Sequence, residues 1–377
     1  MNPLVKGRAM CVHHYRKSFA QKYQGIKYWI LDAGYSILAM CSIEYPASGI
    51  RITSEQALAL KSHCGTKPMN DSEKFGYIDK TGSLVIEPQF DDADYFSEGL
   101  AVVLVDEQVG YIDTAGKMVI EPQFEQAEEF REGLACVLLE DGVGYINENG
   151  KRAFETTFEE AYHFAEGLAV IGEGDKFGYS NKEGEIVIPL EFDDAEDFMD
   201  GIAAVEVDAL FGYIDRSGEW VIKPWFELAG SFSDGIAPVA VTGKWGWIDK
   251  TGKFVIEPQF DGTSGFVEDL APVEVGPKWG YIDREGKMVI EPQFNEAEKF
   301  SDGVALVELS GLWGFISPDG NWVIDPQFEV AADFYEGLAR IEKEFLWGYI
   351  DKSSEFIIPP RFKSAGDFAA GLAFVTP

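Results

Sequence analysis

Few residues after residue 68 have the types and spacing that catalysis needs. His163 is the only histidine there and Cys136 the only cysteine. A nucleophile needs a base placed to activate it, and related stretches of the chain carry Tyr95, Glu129 or Asp197 at the position of His163, which is typical of a surface residue. The chain also lacks the motifs of serine hydrolases, zinc proteases and phosphate-binding loops. We therefore expect no enzyme, no catalytic residue and no cofactor.

Carboxylates are dense enough to raise the question of calcium. The acidic runs Asp91–Asp94 and Asp193–Asp197 lack the alternation with Asn and Gly that a calcium loop shows, so no metal site is predicted. An acid also precedes Gly99 and most of its later equivalents. These acids could form a ladder along one edge, and we favour solvated turn residues over an ion site: Glu98, Glu132, Glu166, Asp200, Asp234, Glu268, Asp302 and Glu336.

The best candidate for a partner contact is Trp225, in the word "IKPWF". Gln89, Gln123 and Gln259 occupy the equivalent position elsewhere, and Lys223 likewise replaces an acid. An exposed aromatic residue at a polar position is typical of a binding surface. Local repacking of the tryptophan is the alternative.

The elements that must position these residues come from a repeat. The glycine of the "WG" or "FG" pair recurs every 34 residues without insertion, at Gly76, Gly110, Gly144, Gly178, Gly212, Gly246, Gly280, Gly314 and Gly348. Glycine and proline interrupt each unit too often for two helices. The short apolar words, such as "MVIEPQF", predict β-strands.

Each unit is predicted to be a three-stranded antiparallel meander. Asp249 and Gly252 suit the first and last positions of a type I hairpin turn, so the recurring acid is a turn former. A segment such as Asp91–Leu100 is predicted to form one short helical turn beneath the sheet. We expect Phe90, Phe96, Leu100, Ala101, Val103 and their copies in the core, and Cys136 as a buried or half-buried filler.

These words resemble the WG repeat family, bacterial β-repeat proteins, over about residues 74–377. The first five copies depart at the signature tryptophan, and the last four keep it as Trp245, Trp279, Trp313 and Trp347. The third copy departs further, losing its proline in Lys151–Phe158. The resemblance implies an all-β scaffold and no general reaction that could be assigned to residues here.

Nine such meanders can stack as an open solenoid or close into a propeller-like ring. Stacked repeats bury their faces against their neighbours, and open superhelical stacking is the expectation that we place first. The final strand, "GLAFVTP", is of the kind that precedes "FGYID". It could therefore pair with the first hairpin and close the ring, which is the alternative.

Charge divides the chain near Met69. The sequence holds 31 basic and 65 acidic residues, a net charge of −34. Residues 1–68 contain nine basic and three acidic residues, so residues 69–377 retain 22 and 62, a net charge of −40. An acidic repeat region argues against nucleic acid, since phosphate binding needs Lys and Arg. It favours a protein partner with a basic surface, with self-association left open.

Residues 1–68 are predicted to be a basic segment separate from the repeats of residues 69–377. It is either disordered or precedes a natural start at Met69, and it contains one apolar stretch, Ile26–Tyr45, that is weak as a membrane span. A zinc site is an alternative there, although its Cys and His residues lack a known ligand spacing: Cys11, His13, His14, Cys41, His63 and Cys64.

The sequence as a whole predicts a non-enzymatic acidic scaffold that mediates protein–protein interaction. We expect it in the cytoplasm, with an exported or envelope-associated protein as the alternative. A carbohydrate or cell-envelope binding module is the second function considered, since aromatic and Gly-rich repeats also occur in such modules.

Overall fold

The computed structural model describes residues 73–377, in which strands and turns are joined by short extended segments and no helix occurs. The predictions for residues 1–68, and the boundary after them, lie outside the described residues and remain predictions. We describe the unit Phe75–Pro377 by itself. Most consecutive strands are separated by one to seven residues, and the two longest connections are residues 125–133 and 148–159, on either side of sheet 2.

The strands of the first half are β1 (Phe75–Asp79), β2 (Leu84–Phe90), β3 (Asp92–Ser97), β4 (Leu100–Val105), β5 (Gln108–Asp113), β6 (Met118–Phe124), β7 (Leu134–Leu139), β8 (Gly142–Asn147), β9 (Glu160–Ala165), β10 (Leu168–Glu173), β11 (Lys176–Asn181), β12 (Ile186–Phe192), β13 (Asp194–Ala195), β14 (Ile202–Val207), β15 (Leu210–Asp215) and β16 (Trp220–Phe226). Those of the second half are β17 (Leu228–Ala229), β18 (Ile236–Val241), β19 (Lys244–Asp249), β20 (Phe254–Phe260), β21 (Gly262–Thr263), β22 (Ala271–Val275), β23 (Lys278–Ile282), β24 (Met288–Phe294), β25 (Glu296–Ser301), β26 (Val304–Leu309), β27 (Leu312–Ile316), β28 (Trp322–Phe328), β29 (Val330–Tyr335), β30 (Leu338–Lys343), β31 (Leu346–Ile350), β32 (Phe356–Phe362), β33 (Ser364–Ala365) and β34 (Leu372–Thr376).

Neighbouring strands pair antiparallel in nine sheets, which we number in chain order. Sheet 1 is β3–β6, sheet 2 is β7–β8, sheet 3 is β9–β12, sheet 4 is β13–β16, sheet 5 is β17–β20, sheet 6 is β21–β24, sheet 7 is β25–β28, sheet 8 is β29–β32, and sheet 9 is β33, β34, β1 and β2. All have four strands except sheet 2. The prediction of an all-β chain of nine antiparallel repeats is confirmed.

The short helical turn predicted before each "GL" word is instead a further strand. In sheet 1, Ala93 pairs with Val103 and Phe96 with Ala101, with an irregularity in register between the two pairs. This bulge lets Ala93 and Phe96, three residues apart, both reach the core from a strand. Spacing by three therefore comes from a bulge and not from a helical turn, and every sheet except sheet 2 has four strands instead of the predicted three.

Sheet 9 joins the two ends of the described unit. Strand β34 pairs with β1, with Gly76 opposite Val375 and Asp79 opposite Leu372. This pairing corrects the open order of the array, which the sequence analysis placed first, to the closed ring kept as the alternative. In an open array the backbone N–H and C=O groups of β1 would face solvent as a sheet edge; β34 supplies the missing partner strand.

The core lies between consecutive sheets, and the predicted core positions are buried. Phe90, Phe96, Ala101 and Val103 are each less than one tenth exposed, and Cys136 is 1% exposed. Tyr77 and Phe90 of sheet 9 pack with Val103 of sheet 1 in one apolar cluster. Because one sheet covers only part of its own apolar residues, the sheets depend on their neighbours for stability.

The glycine of the "WG" pair is required by a close approach of two strands. A Cβ atom on Gly246 would lie 2.5 Å from the carbonyl oxygen of Ile256 and 2.7 Å from the nitrogen of Pro258. Strand β20 shifts register against β19 at this point, and the bulge pushes its backbone onto the glycine. The glycine that the sequence marks as a breaker therefore lies inside a strand.

The recurring acid of the turn is confirmed as a turn former. The Asp249 side-chain oxygen Oδ1 accepts hydrogen bonds from the backbone N–H groups of Thr251 and Lys253, and Gly252 N–H donates to the Asp249 carbonyl oxygen. Gly252 has a φ of 81°, which glycine adopts without strain. The Thr251 hydroxyl bond lowers the pKa of Asp249, so the acid is ionised in this role.

Sheet 2 is irregular where the third copy departs from the repeat. Its last segment contacts β8 only through isolated bridges, at Phe158 and at Arg152. Arg152 also donates to both carboxylate oxygens of Asp141, at 2.6 and 2.7 Å. The departure in Lys151–Phe158 thus loosens one outer strand without interrupting the order of the sheets.

Candidate functional site

The first strands of the sheets form the inner edge of the ring. His163 of sheet 3 lies 3.0 Å from Asp197 of sheet 4, and Tyr95 of sheet 1 lies 3.5 Å from Asp367 of sheet 9. Each pair joins the same position of the repeat in neighbouring sheets, and equivalent side chains meet where the sheets converge. At the opposite, outer edge, valines of the last strands such as Val255 are 46% exposed.

The position that lines this inner edge is the most chemically varied in the repeat. It carries, in chain order, Tyr95, Glu129, His163, Asp197, Ser231, Gly265, Lys299, Asp333 and Asp367. The backbone around this position is uniform. In seven sheets a buried tyrosine hydroxyl donates to a backbone carbonyl oxygen of the next unit, that of the residue just before the inner-edge position. A constant frame therefore presents different side chains toward the inner edge.

Sheets 7, 8, 9 and 1 bring together a group that we call the inner cluster: Tyr95, Glu298, Asp333, Arg340 and Asp367. Arg340 Nε lies 2.7 Å from Asp367 Oδ1, and its Nη1 donates to the Ala365 carbonyl oxygen at 2.7 Å. The guanidinium also lies over the ring of Trp347, 5.3 Å from its centroid, where a cation is attracted. The cluster thus spans four consecutive sheets across the closure.

The negative charge of the inner cluster exceeds what Arg340 neutralises. Burial, with the charges of Glu298 and Asp367, raises the pKa of Asp333 to about 7, and Arg340 opposes the shift. Burial also raises the pKa of Glu298, opposed by Lys299, and that of Asp367, opposed by Arg340. The charges of Glu298 and Asp367 thus disfavour the ionisation of Asp333, and a cation placed beside Asp333 would be stabilised.

Other inner-edge groups are paired. The hydrogen bond that His163 Nε2 donates to Asp197 raises the pKa of His163. The sequence analysis placed this histidine at the surface; it is half-buried and pairs with a neighbouring sheet. Burial raises the pKa of Tyr95 to about 12, with the charge of Asp367 adding to it. Tyr95 is therefore a neutral hydrogen-bonding group at the inner edge.

The predicted contact residues Trp225 and Lys223 lie elsewhere, on the outer strand β16. Trp225 is 43% exposed, and its ring centroid lies 4.3 Å from that of Phe226 and 5.9 Å from that of Phe254 in sheet 5. Lys223 is exposed two residues away, on the same side of the strand. The structure places both at the surface together, and their role in a contact remains a prediction.

The acid that precedes Gly99 and its equivalents connects consecutive sheets. Seven of these carboxylates accept a hydrogen bond from a backbone N–H of the following sheet; Asp200, for example, accepts from Gly235 N–H at 2.8 Å. A Lys or Arg often completes the contact, as Lys250 does by donating to the Asp200 carbonyl oxygen. We call this arrangement the sheet bridge, and its acids are structural.

Within residues 73–377 no group of three or more His, Cys, Asp or Glu side chains is arranged to hold a metal ion. The same residues contain no helix with the length and apolarity that crossing a membrane requires. The candidate binding surfaces are the inner cluster and the exposed residues Lys223 and Trp225 of the outer strand β16.

Sequence reasoning did not identify the inner cluster, although one signal was present. Arg340 stands at a position that is apolar in every other copy, such as Val102, Cys136 and Leu306. This departure is of the same kind as that of Trp225. Its full setting depends on the ring closure, because Tyr95 joins Arg340 and Asp367 only when the last sheet meets the first.

Comparisons with known proteins agree with this organisation. The profile of the WG containing repeat matches nine times, at residues 75–108, 110–142, 144–177, 177–210, 211–245, 245–279, 279–313, 313–344 and 347–376. No curated protein matches the chain. A solved eukaryotic initiation factor is similar at a TM-score of 0.52 and 14% identity, over 76% of this chain and 95% of that one.

Two further solved structures are similar at lower scores. The dihydro-haem d1 dehydrogenase NirN in complex with DHE has a TM-score of 0.43 and 13% identity, over 83% of this chain and 86% of its own. Hsv2p of Kluyveromyces lactis has a TM-score of 0.35 and 8% identity, over 69% and 92%. At these identities the similarity to the initiation factor concerns the fold alone.

Proposed function

The chain belongs to the WG containing repeat family, and from that premise we propose that it is a non-enzymatic scaffold whose acidic repeat surface binds a protein partner with a basic surface. The carrying observation is the inner cluster, where Arg340 lies 2.7 Å from Asp367 and where burial and the charges of Glu298 and Asp367 raise the pKa of Asp333. A lysine or arginine side chain of a partner would relieve that repulsion, because an opposite charge favours the ionised carboxylate.

The repeat region supports a partner of this kind over nucleic acid. Its net charge of −40 repels phosphate and speeds association with a basic protein. Several acids are already committed to turns and sheet bridges, so the binding contribution falls to the carboxylates at the inner edge and along the outer strands. Cytoplasmic location and the absence of enzymatic activity are part of the same proposal.

The test uses the full chain and a ten-residue lysine peptide as the basic probe, with a glutamate peptide as the negative probe. Binding is measured by calorimetry at pH 8 and at two salt concentrations. Replacing Glu298→Gln and Asp333→Asn together is expected to weaken lysine-peptide binding about tenfold. Glu257→Gln with Glu291→Gln removes the same charge from exposed outer strands and is the matched control.

The proposal fails if the two double variants weaken the lysine peptide equally, because the effect is then one of net charge and not of a site. It also fails if added salt leaves the affinity unchanged, since contacts among accessible charges are screened.

The exposure of Trp225 keeps a second function, carbohydrate or cell-envelope binding, under consideration. An aromatic face that is 43% exposed beside Lys223 could stack against a sugar ring. A glycan array with wild type and Trp225→Ala tests this directly. Sugar binding that disappears in the variant would support it, and an array without hits would exclude it.

A further inference from the structure

One exposed turn carries a residue that its geometry disfavours. A two-residue turn joins the second and third strands of the sheets, and in sheet 8 it is Glu344–Phe345, between β30 and β31. Phe345 has a φ of 65°, in the left-handed region, where a bulky side chain is an outlier. Equivalent turns carry Glu107, Ala209, Gly243 or Gly311 at this position.

Phe345 is also unusually exposed. Its side chain is 88% exposed, whereas Ile186, the next most exposed large apolar residue among residues 73–377, is 50% exposed. Packing inside the sheet therefore does not offset the backbone strain. Glycine would relieve the strain, and a polar residue would avoid the exposure of an apolar ring. A strained and exposed aromatic residue is a reason to look for a function outside the fold.

The charges around Phe345 indicate what would contact it. Glu342 and Glu344 lie on its strand and turn, with Lys343 between them. In sheets 1, 4 and 6, the acid just before the first strand accepts a hydrogen bond from a backbone N–H of this turn. Glu329 occupies the same position in sheet 8. This setting is net negative. A second copy of the chain, also strongly acidic, would be repelled by it, whereas a basic rim would be attracted.

We propose that Phe345 is the anchor by which this face of the ring binds its partner, inserting into an apolar pocket of the partner whose rim carries lysine or arginine. Aromatic anchors that enter desolvated pockets supply much of the affinity of protein interfaces. This inference rests on the proposed function, because it adds an anchor to an interaction with the same class of partner.

The first experiment places the photo-crosslinking residue benzoylphenylalanine at 345 in the full chain, and separately at 209. Ala209 occupies the same turn position in sheet 4, with a φ of 64°, so it is a matched control for geometry and exposure to light. Both proteins are irradiated in a cell lysate. We expect a protein that crosslinks from 345 and not from 209, through a peptide with apolar residues and a net positive charge.

The second experiment separates anchoring from stability. Phe345→Gly and Ala209→Gly should each unfold at an unchanged or slightly higher temperature, by about 1 °C, since glycine relieves the left-handed strain. Only Phe345→Gly should lose capture of the crosslinked protein, by about tenfold or more in affinity, because large aromatic residues dominate interface energy.

Three outcomes would overturn the inference. They are equal crosslinking from 345 and 209, a crosslinked product that is a second copy of the chain, and unchanged affinity in Phe345→Gly. If salt-sensitive binding at the inner cluster persists in any of these cases, the anchor alone is rejected. If the salt-sensitive binding at the inner cluster is also absent, the proposed scaffold function is rejected as well.

Discussion

Single residues explain why the repeat keeps some positions and varies others. Gly246 is kept because a Cβ atom would meet the backbone of Ile256 and Pro258. The turn acid Asp249 is kept because its side chain receives two backbone N–H groups. Positions at the inner edge vary because no such contact fixes them, and there the chain places Asp333 and Asp367.

The raised pKa of Asp333 predicts a pH dependence of stability. Its folded value of about 7 lies above the ordinary 3.8, so between those values the folded state binds more protons than the unfolded state. The free energy of unfolding should therefore fall as pH rises from about 4 to 7. Because Asp333 retains contact with solvent, we expect this contribution to be about 1–3 kcal/mol.

Asp333→Asn measures that contribution by urea unfolding at pH 5 and pH 8. Relative to wild type, the variant should gain stability as pH rises, because asparagine stays neutral. Asp325→Asn, on the exposed outer strand β28, controls for the loss of one negative charge. A constant difference between Asp333→Asn and wild type at both pH values would contradict the prediction.

At the scale of elements, the sheet bridge explains the recurring acids that the sequence analysis interpreted as solvated turn residues. The eight acids have left-handed backbone angles, as Asp200 does at a φ of 56°, and all but Glu268 precede the turn glycine. Their side chains reach the next sheet, so each bridge replaces an N–H bond to water by one to a carboxylate. The ninth position is Ala370, which has no carboxylate to offer to Gly99 of sheet 1.

The missing bridge predicts a stabilising substitution. Ala370 already has the left-handed φ of 53° that the acids adopt, and a Cβ atom on Gly99 would meet no atom within 4 Å. Ala370→Glu should therefore complete the series and raise the free energy of unfolding by about 1 kcal/mol. Thermal unfolding measures the gain.

Ala370→Gln is the control for side-chain length, because glutamine is as long as glutamate but uncharged. It should raise the free energy of unfolding by less. Asp200→Ala, which removes an existing bridge, should lower stability by a similar amount. If Ala370→Glu leaves the unfolding midpoint unchanged while Asp200→Ala lowers it, the ninth interface does not accept the bridge geometry.

The sequence revealed the elements more readily than their pairing. The repeat predicted Phe90 and Ala101 as core positions, and residue type predicted Asp249 and Gly252 as turn residues. Both predictions depend only on properties within one 34-residue unit. The extra inner strand escaped because a bulge between Ala93 and Phe96 imitates helical spacing. The inner cluster escaped because Arg340 and Tyr95 are far apart in sequence, and only the closure makes them neighbours.

For the molecule as a whole, the closure continues the contacts of the repeat. Lys80 donates to the Glu336 carbonyl oxygen across the closure as Lys250 donates to that of Asp200 within the chain. Strands β34 and β1 pair as β4 and β5 do. No sheet other than the composite sheet 9 marks where the ring begins.

This equivalence predicts that the ring tolerates circular permutation. Pro377 can be joined to Lys74 by Asn-Gly, which suits a two-residue hairpin, and new ends can be opened between Thr242 and Gly243 in the equivalent turn of sheet 5. The permutant should fold with an unfolding midpoint within a few degrees of the parent repeat unit. Circular dichroism and thermal unfolding measure this.

A permutant opened inside β19, between Trp247 and Ile248, is the control and should fail to fold, since both residues are fully buried. Equal behaviour of the two permutants would contradict the closed order. If the repeats formed an open array with hairpin β1–β2 at one end, the permutant opened between Thr242 and Gly243 would instead lose stability.

The composite sheet also sets the order in which a ribosome can complete this protein. Sheets 1 to 8 each consist of consecutive residues, so each can assemble as its strands emerge. Hairpin β1–β2 is made before sheets 1 to 8, whereas its partner β34 follows them in the chain. A nascent chain that has not yet reached β34 therefore carries an open strand edge that can pair with other chains, and synthesis of β34 removes it.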